Sequence, residues 1–523
     1  MKFKKWTPGV VMTLFAALAM PIGMTAQDNP SQNHKSKHHQ YKLIDMGTFG
    51  GAQSSVNDQV NGYPDLNKHG DLVGAAETLV PLNQYSNGFP CFPGPNVNHA
   101  FRYQDGQITD LGALSPSSTD CSNAQTINDS GEIVGVSENG VIDPVLGINE
   151  MHGFIFEHGH MADLGTLGGN VSFAGSINNR GQVVGFATNA IPDPNSIYYF
   201  LIGGSANGTQ TRAFLWQDGA MQDLGTLGGP DAIAAFVNEG GQVAGIAYVN
   251  AIVNPLTGVP TQDTFLWQNG RMQDLGNLGG TIGNPNGLNN RGQVVGTSNI
   301  AGDQLFHPFL WDGEKLLDLG TLGGSTGEAI AINDAGEVVG GADHPGGQTH
   351  DAFLWKSGVM TDLGNLGVTS FAHAIGPNGQ VVGSSRIDAT PGNGRAFLWE
   401  NGGPMVDLNT LIPTNSSLTL VFAETVNERG EIGGTGVPAG CQPADVATCG
   451  HAFLLIPCDD KHPGECEDYS MIEVSTPQPG EPTKRNAAAT RQGNESLLSP
   501  VEHFRSQVRQ RYHIPGQPSA PRD

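Results

Sequence analysis

The residue most suggestive of covalent chemistry in this 523-residue sequence is Ser325, within Gly323-Gly324-Ser325-Thr326-Gly327. A G-x-S-x-G spacing exposes a nucleophilic serine where a strand turns sharply into a helix. Here no helical pattern follows, and the preceding Gly-Gly pair recurs before Asn, Pro or Thr elsewhere in the chain. The serine therefore reads as part of a turn. Leu-Gly-Thr-Leu-Gly-Gly resembles a phosphate-cradling loop, but it lacks the following lysine and helix and it repeats. The acids either repeat or scatter, so no pair stands out for glycoside chemistry, and no catalytic residue is assigned.

Metal and redox chemistry are equally sparse. Six cysteines, Cys91, Cys121, Cys441, Cys449, Cys458 and Cys466, allow fifteen pairings and lack the CxxC spacing of a zinc site. Proximity favours 441 with 449, 458 with 466, and then 91 with 121. No D-x-D-x-D-G calcium loop is present, and His34, His38 and His39 sit in a polar segment read as a solvated linker. Neither a metal nor a cofactor is expected.

What dominates the chain is repetition. An Asp-Leu-Gly motif or close variant begins at Asp45, Asp110, Asp163, Asp223, Asp274, Asp318, Asp362 and Asp407. Each is followed by an apolar-Asn-x-x-Gly-x-apolar-x-Gly element, from Leu66–Gly74 to Val426–Gly434, and by a strand centred on Phe101, Phe154, Phe214, Phe265, Phe309, Phe353, Phe397 or Phe453. Each unit holds four short apolar runs separated by glycine-containing turns, the pattern of antiparallel strands. Repeated four-stranded units predict an all-β protein, a β-propeller over residues 41–456. The array opens on a lone fourth-type strand, Tyr41–Gly47, and ends on a lone third-type strand, His451–Ile456. The expectation is eight four-stranded blades, with the two terminal strands sharing one blade and closing the ring; seven blades is the alternative because of the odd stretch Gln53–Pro64.

The Phe motif, complete as His99-Ala100-Phe101 and His451-Ala452-Phe453, together with Asp-Leu-Gly-Thr-Leu-Gly-Gly at Asp163–Gly169 and Asp223–Gly229, resembles the HAF-type extracellular repeat family of bacterial proteins. The resemblance covers nearly all of 41–456. It implies an exported, propeller-like repeat protein and brings no catalytic residues with it. Gly153, Thr264 and Pro308 depart from the motif's alanine, and Asp407-Leu408-Asn409 from its glycine.

The units also form an internal alignment that separates scaffold from site. The motif aspartates recur eight times and are expected to hold backbone amides at the unit crossings. Trp216, Trp267, Trp311, Trp355 and Trp399 share one repeat position, as do His99, His152, His307 and His451, so both sets read as scaffold. Variation concentrates between the second and third strands, with long insertions at 75–98, 136–151, 186–211, 246–262 and 435–450. Antiparallel alternation puts all of these on one face, where binding residues are expected. The candidate ligand contacts are Tyr85, Phe92, Asp143, Glu150, Asp193, Tyr198 and Tyr199, with Phe89 and Phe200 beside them.

Composition sets the setting. Asp+Glu 50 against Lys+Arg 25 gives a net charge of -25, which argues against nucleic acid as a partner. Residues 1–26 read as a signal peptide: Lys2, Lys4 and Lys5 precede an apolar run, Gly9–Met20, too short for a membrane span. Beyond it the expected organisation is a His/Lys-rich linker at 27–40, the propeller, a Pro-rich disordered tail at 457–498, a short amphipathic helix at 499–513 and a disordered end at 514–523. The expected protein is a monomer without a membrane span, secreted, periplasmic or at the cell surface, that binds a glycan, peptide or protein through its insertion face. A polysaccharide hydrolase or lyase is the first alternative, and a purely structural surface protein the second.

Overall fold

A computed structural model of the chain describes residues 38–459 apart from 57–64, 89, 93, 145, 202–207, 256, 348 and 391–392. The signal peptide, most of the linker, the tail and the amphipathic segment lie outside the described residues. Within them the fold is all-β and of the propeller type, with thirty-two strands and only short helical turns. The strands group in fours, and two pairs of these sets merge into eight-stranded sheets through single parallel bridges, Met151 with Val171 and Gln262 with Ile282. The sixth unit is typical: Gly327–Ile332, Val338–Asp343, His350–Lys356 and Val359–Asp362 pair antiparallel in chain order. In the last set, Leu418–Val426, Ile432–Pro438 and His451–Pro457 are completed by Tyr41–Asp45 from the other end of the described chain. The linker's last residues do not float free: His38 is buried with Nδ1 2.9 Å from Glu400 Oε1, and the Gln40 carbonyl accepts from Cys458 N.

One cross-strand row explains the motifs. In every unit the second-strand glycine lies opposite the third-strand phenylalanine, which lies opposite the fourth-strand aspartate, as in Gly340, Phe353 and Asp362. A bulge in the first strand, for example between Ala329 and Ala331, pushes a carbonyl toward that glycine. A Cβ there would strike the Glu328 carbonyl in the sixth unit and Asn284's in the fifth, so only glycine fits. The phenylalanine ring then seals the gap, and all eight are at most 1% exposed.

The units are stitched together at the first-to-second-strand turns. Asn289 shows how: its Oδ1 accepts from Arg291 N and Gln293 N, while its Nδ2 donates to Gln293 Oε1 and, across the seam, to the Asn333 carbonyl at 3.0 Å. The same seam bond runs Asn67 to Asn128, Asn128 to Asn178, Asn178 to Asn238, Asn238 to Asn289, Asn333 to Gly376 and Asn427 to Asn67. The last spans 360 residues of sequence. Gly376 breaks the series because it accepts but has no side chain to donate; Asn378 Nδ2 reaches the Glu428 carbonyl instead.

Two outcomes test this seam. Asn289→Ala removes two capping bonds and two donations from a buried site and should cost about 2–4 kcal/mol, read as a lower thermal midpoint. Gly376→Asn should do the reverse. A Cβ at 376 meets only ordinary contacts with Val426 and the Gln380 carbonyl, so an asparagine there restores the missing bond and raises stability by about 1 kcal/mol.

Candidate functional site

The eight motif aspartates hold the crossings as expected. Each accepts from the amide two residues on, from Gly47 for Asp45 through Gly364 for Asp362, and from Asn409 for Asp407. In five units a further partner comes from the third strand. His99, His152, His307 and His451 place Nδ1 within 2.8–3.0 Å of Asp110, Asp163, Asp318 and Asp45. Arg212 does the same for Asp223. Burial opposes ionisation of Asp45, Asp110 and Asp163, but the histidine and glycine donors prevail and hold these carboxyls below their usual value. The histidines are thus scaffold partners of a repeated turn.

The insertions are less loop-like than the sequence implied. In the first four units the second strand runs on past the unit, as Leu72–Pro81, Ile133–Ile142, Val183–Pro192 and Val243–Val253, and pairs with a lengthened third strand. The corresponding strands of units five to seven stop at Ile300, Asp343 and Arg386.

The candidate contacts divide on this face. Tyr85 is exposed, and Phe92 and Glu150 are half-buried, with Asn139 Nδ2 donating to Glu150 Oε2. The others are buried. Tyr198 and Tyr199 sit on the short helix Ile197–Leu201, packed with Phe173, Phe186 and Tyr248, the two tyrosine rings meeting edge-on at 5.2 Å. They anchor the insertion, because their apolar rings gain more from burial than from facing water. Asp143 and Asp193 are likewise structural in placement: Asp143 Oδ1 accepts from Leu146 N and Asp193 Oδ1 from Asn195 N. Beside Asp193, buried Asp231 accepts from Ile197 N and Thr211 N, and burial pushes its carboxyl well above the ordinary range. Phe89 and the Phe200 side chain lie outside the description.

The disulfides Cys91–Cys121 and Cys441–Cys449 form as proximity suggested. Cys458 is also disulfide-bonded, and its expected partner Cys466 lies outside the described residues. The first bond ties the 75–98 insertion to the second unit. Glu138 is buried next to it and accepts from Asn87 N and Cys121 N.

Sequence reasoning missed what the extended hairpins display. Leu79, Val141, Ile142, Ile191, Ile252 and Val253 are exposed, Leu79 and Ile252 by 74% and 77%. They lie in the extended second strands of four consecutive units, at or beside the point where the hairpin ladder shifts register. In three of these units an asparagine two residues earlier fixes the kink: Asn139 Oδ1 accepts from Val141 N, Asn189 Oδ1 from Ile191 N and Asn250 Oδ1 from Ile252 N. Thr78 Oγ1 accepts from Val80 N. The available signal was the recurring Asn-x-Val/Ile after the second-strand glycine. A separate cavity of about 540 Å³ opens on the opposite face, between units two and three, lined by Glu132, Glu157, Arg180, Trp216 and Asp218 among others.

Burial raises the Glu138 carboxyl from 4.5 to about 7, against the two amide donors that favour its anion. The protonated folded form is therefore favoured between those values. Its stabilisation is complete below the unfolded value and is lost as pH rises through the folded one, a swing of about 3 kcal/mol. Glu138→Gln should flatten the stability profile between pH 5 and 8, measured by denaturant unfolding. Reducing Cys91–Cys121, or Cys91→Ser, should cost about 3–4 kcal/mol from its loop alone.

No family model matches the chain, and none of the curated proteins matches it. Among solved structures it is similar to a Pyrococcus horikoshii acylaminoacyl peptidase, at 11% identity and a TM-score of 0.38, over 74% of this chain and 58% of the peptidase. The chain thus spans less than two thirds of that protein's length. The β-propeller domain of the Trilobed protease from Pyrococcus furiosus matches at 9% identity and a TM-score of 0.36, over 67% of this chain and 96% of the domain. An oligogalacturonate lyase from Vibrio parahaemolyticus matches at 8% identity and a TM-score of 0.34, over 82% of this chain and all of the lyase.

Proposed function

We propose that this chain is an exported binding module of the HAF-repeat type, an eight-bladed propeller closed by its terminal strands, that grips a protein or peptide through its extended hairpins. Closure is supported by the pairing of Tyr41–Asp45 with His451–Pro457 and by the Asn427 to Asn67 seam bond. The observation that carries the function is the row of exposed aliphatic side chains from Leu79 to Val253. Water-exposed isoleucine, leucine and valine in the hairpin extensions of four consecutive units are costly to leave uncovered and mark an interaction site. Aliphatic tips suit apolar side chains of a peptide or protein better than the hydroxyls of a glycan, which favour flat aromatic platforms and polar groups. The disulfides fit an oxidising compartment outside the cytoplasm.

A saccharide is the second reading, and it belongs to the other face. The cavity between units two and three combines the Trp216 indole with carboxylates and a guanidinium, the set that stacks on a sugar ring and bonds its hydroxyls. Glu132 and Glu157 are the acids a hydrolase or lyase would use there.

The test pans residues 27–523 against a random peptide library and a polysaccharide panel, beside the variant Leu79→Asp, Val141→Asp, Ile191→Asp, Ile252→Asp. The wild type should enrich apolar peptides, and the variant should lose them while keeping nearly the same thermal midpoint, because these side chains are each more than half exposed. Equal enrichment by both proteins removes the hairpins from the interface. Polysaccharide retention that survives this variant and disappears in Trp216→Ala moves the function to the cavity.

A further inference from the structure

The pairing of the motif aspartate with a third-strand histidine or arginine fails in three units: in unit seven Arg395 turns to Asn393 Oδ1 and the Gly394 carbonyl, and in units four and six an acid takes the position, one of which assembles a different donor set. In units four and six the third-strand position holds Asp263 and Asp351, so a second carboxylate faces Asp274 and Asp362 where sister units present histidine or arginine. In unit four burial first, then Asp274, pushes the Asp263 carboxyl up to about 6. In unit six a third group enters. His344, the first residue after the second strand, turns its ring between the two acids, with Nε2 3.1 Å from Asp351 Oδ2 and 3.5 Å from Asp362 Oδ2.

We propose that His344, Asp351 and Asp362 form a divalent-metal site of the zinc or manganese class on the insertion face. One ligand atom from each residue lies within 4.8 Å of the other two. Donors around a tetrahedral or octahedral ion with bonds of about 2.0–2.2 Å stand roughly 3.0–3.5 Å apart, the spacing found here between the imidazole nitrogen and each carboxylate oxygen. The acids are also held in place. Asn365 Nδ2 donates to both oxygens of Asp351, at 2.8 and 3.0 Å, and Gly364 N fixes Asp362 Oδ1, which leaves Oδ2 turned toward His344. The neighbouring His350 belongs elsewhere, 3.0 Å from Asp343 and stacked on Phe371. Two carboxylates and one neutral imidazole carry a charge of minus two, matched to a divalent cation. The mixed nitrogen and oxygen set selects a transition ion over calcium, which takes oxygen alone, and the half-exposed Asp362 leaves room for water on the ion. The sister histidines each turn Nδ1 to one aspartate and should not bind; His152 alone nears a second acid, Glu150, at 3.9 Å through its other nitrogen.

This site was not expected from the sequence, where the histidine is in a variable connection and its acids look like repeat positions. The test is calorimetric titration of metal-free residues 27–523 with Zn2+, Mn2+ and Ca2+, with bound metal counted by elemental analysis. One Zn2+ site per chain is expected, lost in His344→Ala and in Asp351→Asn, weakened about tenfold in Asn365→Ala, and unchanged in His307→Ala, which breaks a sister pair. Co2+ should give a visible absorption band in the wild type that is missing from His344→Ala. Equal stoichiometry in wild type and His344→Ala, or equal loss in His307→Ala, overturns the proposal and leaves His344 as the counter-charge of two acids. Should His344→Ala fail to fold, Asn365→Ala and the Co2+ band decide.

Discussion

The structure depends on one small side chain at one turn. An asparagine that ends the first strand satisfies its own hairpin through Oδ1 and spends its Nδ2 on the hairpin and on the neighbouring unit's carbonyl. A buried amide with both ends bonded is rigid, because any departure leaves polar groups without partners in a place water does not reach. Repeated across the seams, it sets how each unit sits against the next. Gly376 shows the tolerance of the arrangement: one missing donation is bridged two residues later by Asn378, at a longer 3.4 Å.

From that base the Gly, Phe and Asp row carries geometry across each sheet to the opposite face. The bulge demands glycine, the glycine admits the phenylalanine, and the phenylalanine's neighbour is the aspartate that pins the crossing. Every unit therefore delivers a carboxylate, already held by a backbone amide, to the face that carries the insertions. What stands beside that carboxylate is free to vary, since the amide alone fixes the turn. Histidine or arginine bonds the carboxylate from the third strand; a second aspartate crowds it or, with His344, makes a site for a metal.

The repeats, the strand order, the aspartate turns and two of the disulfides were legible in the sequence because each is a local rule written eight times or a short spacing. The aromatic insertion residues were not. Tyr198 and Tyr199 look like contacts when read as loop residues, yet a long insertion has its own apolar surface to bury, and its largest rings go inward. The residues that do face water, Ile191 and Ile252, look like ordinary strand residues, and only the register shift after Asn189 and Asn250 turns them out. His344 was invisible for a related reason. A connection's single histidine acquires meaning only from the two acids that the strands place beneath it.

The asymmetry of the molecule is thus graded along the chain while the scaffold is uniform. Units one to four lengthen their hairpins and expose aliphatic tips; units five to seven stay short, and the sixth gathers the histidine and acids at the same level of the sheet. A uniform scaffold with varied edges lets each unit change its display without disturbing its neighbours, because the seam bonds lie on the far face. Substitutions in the hairpins should therefore alter what the molecule holds, and substitutions in the turns whether it holds together.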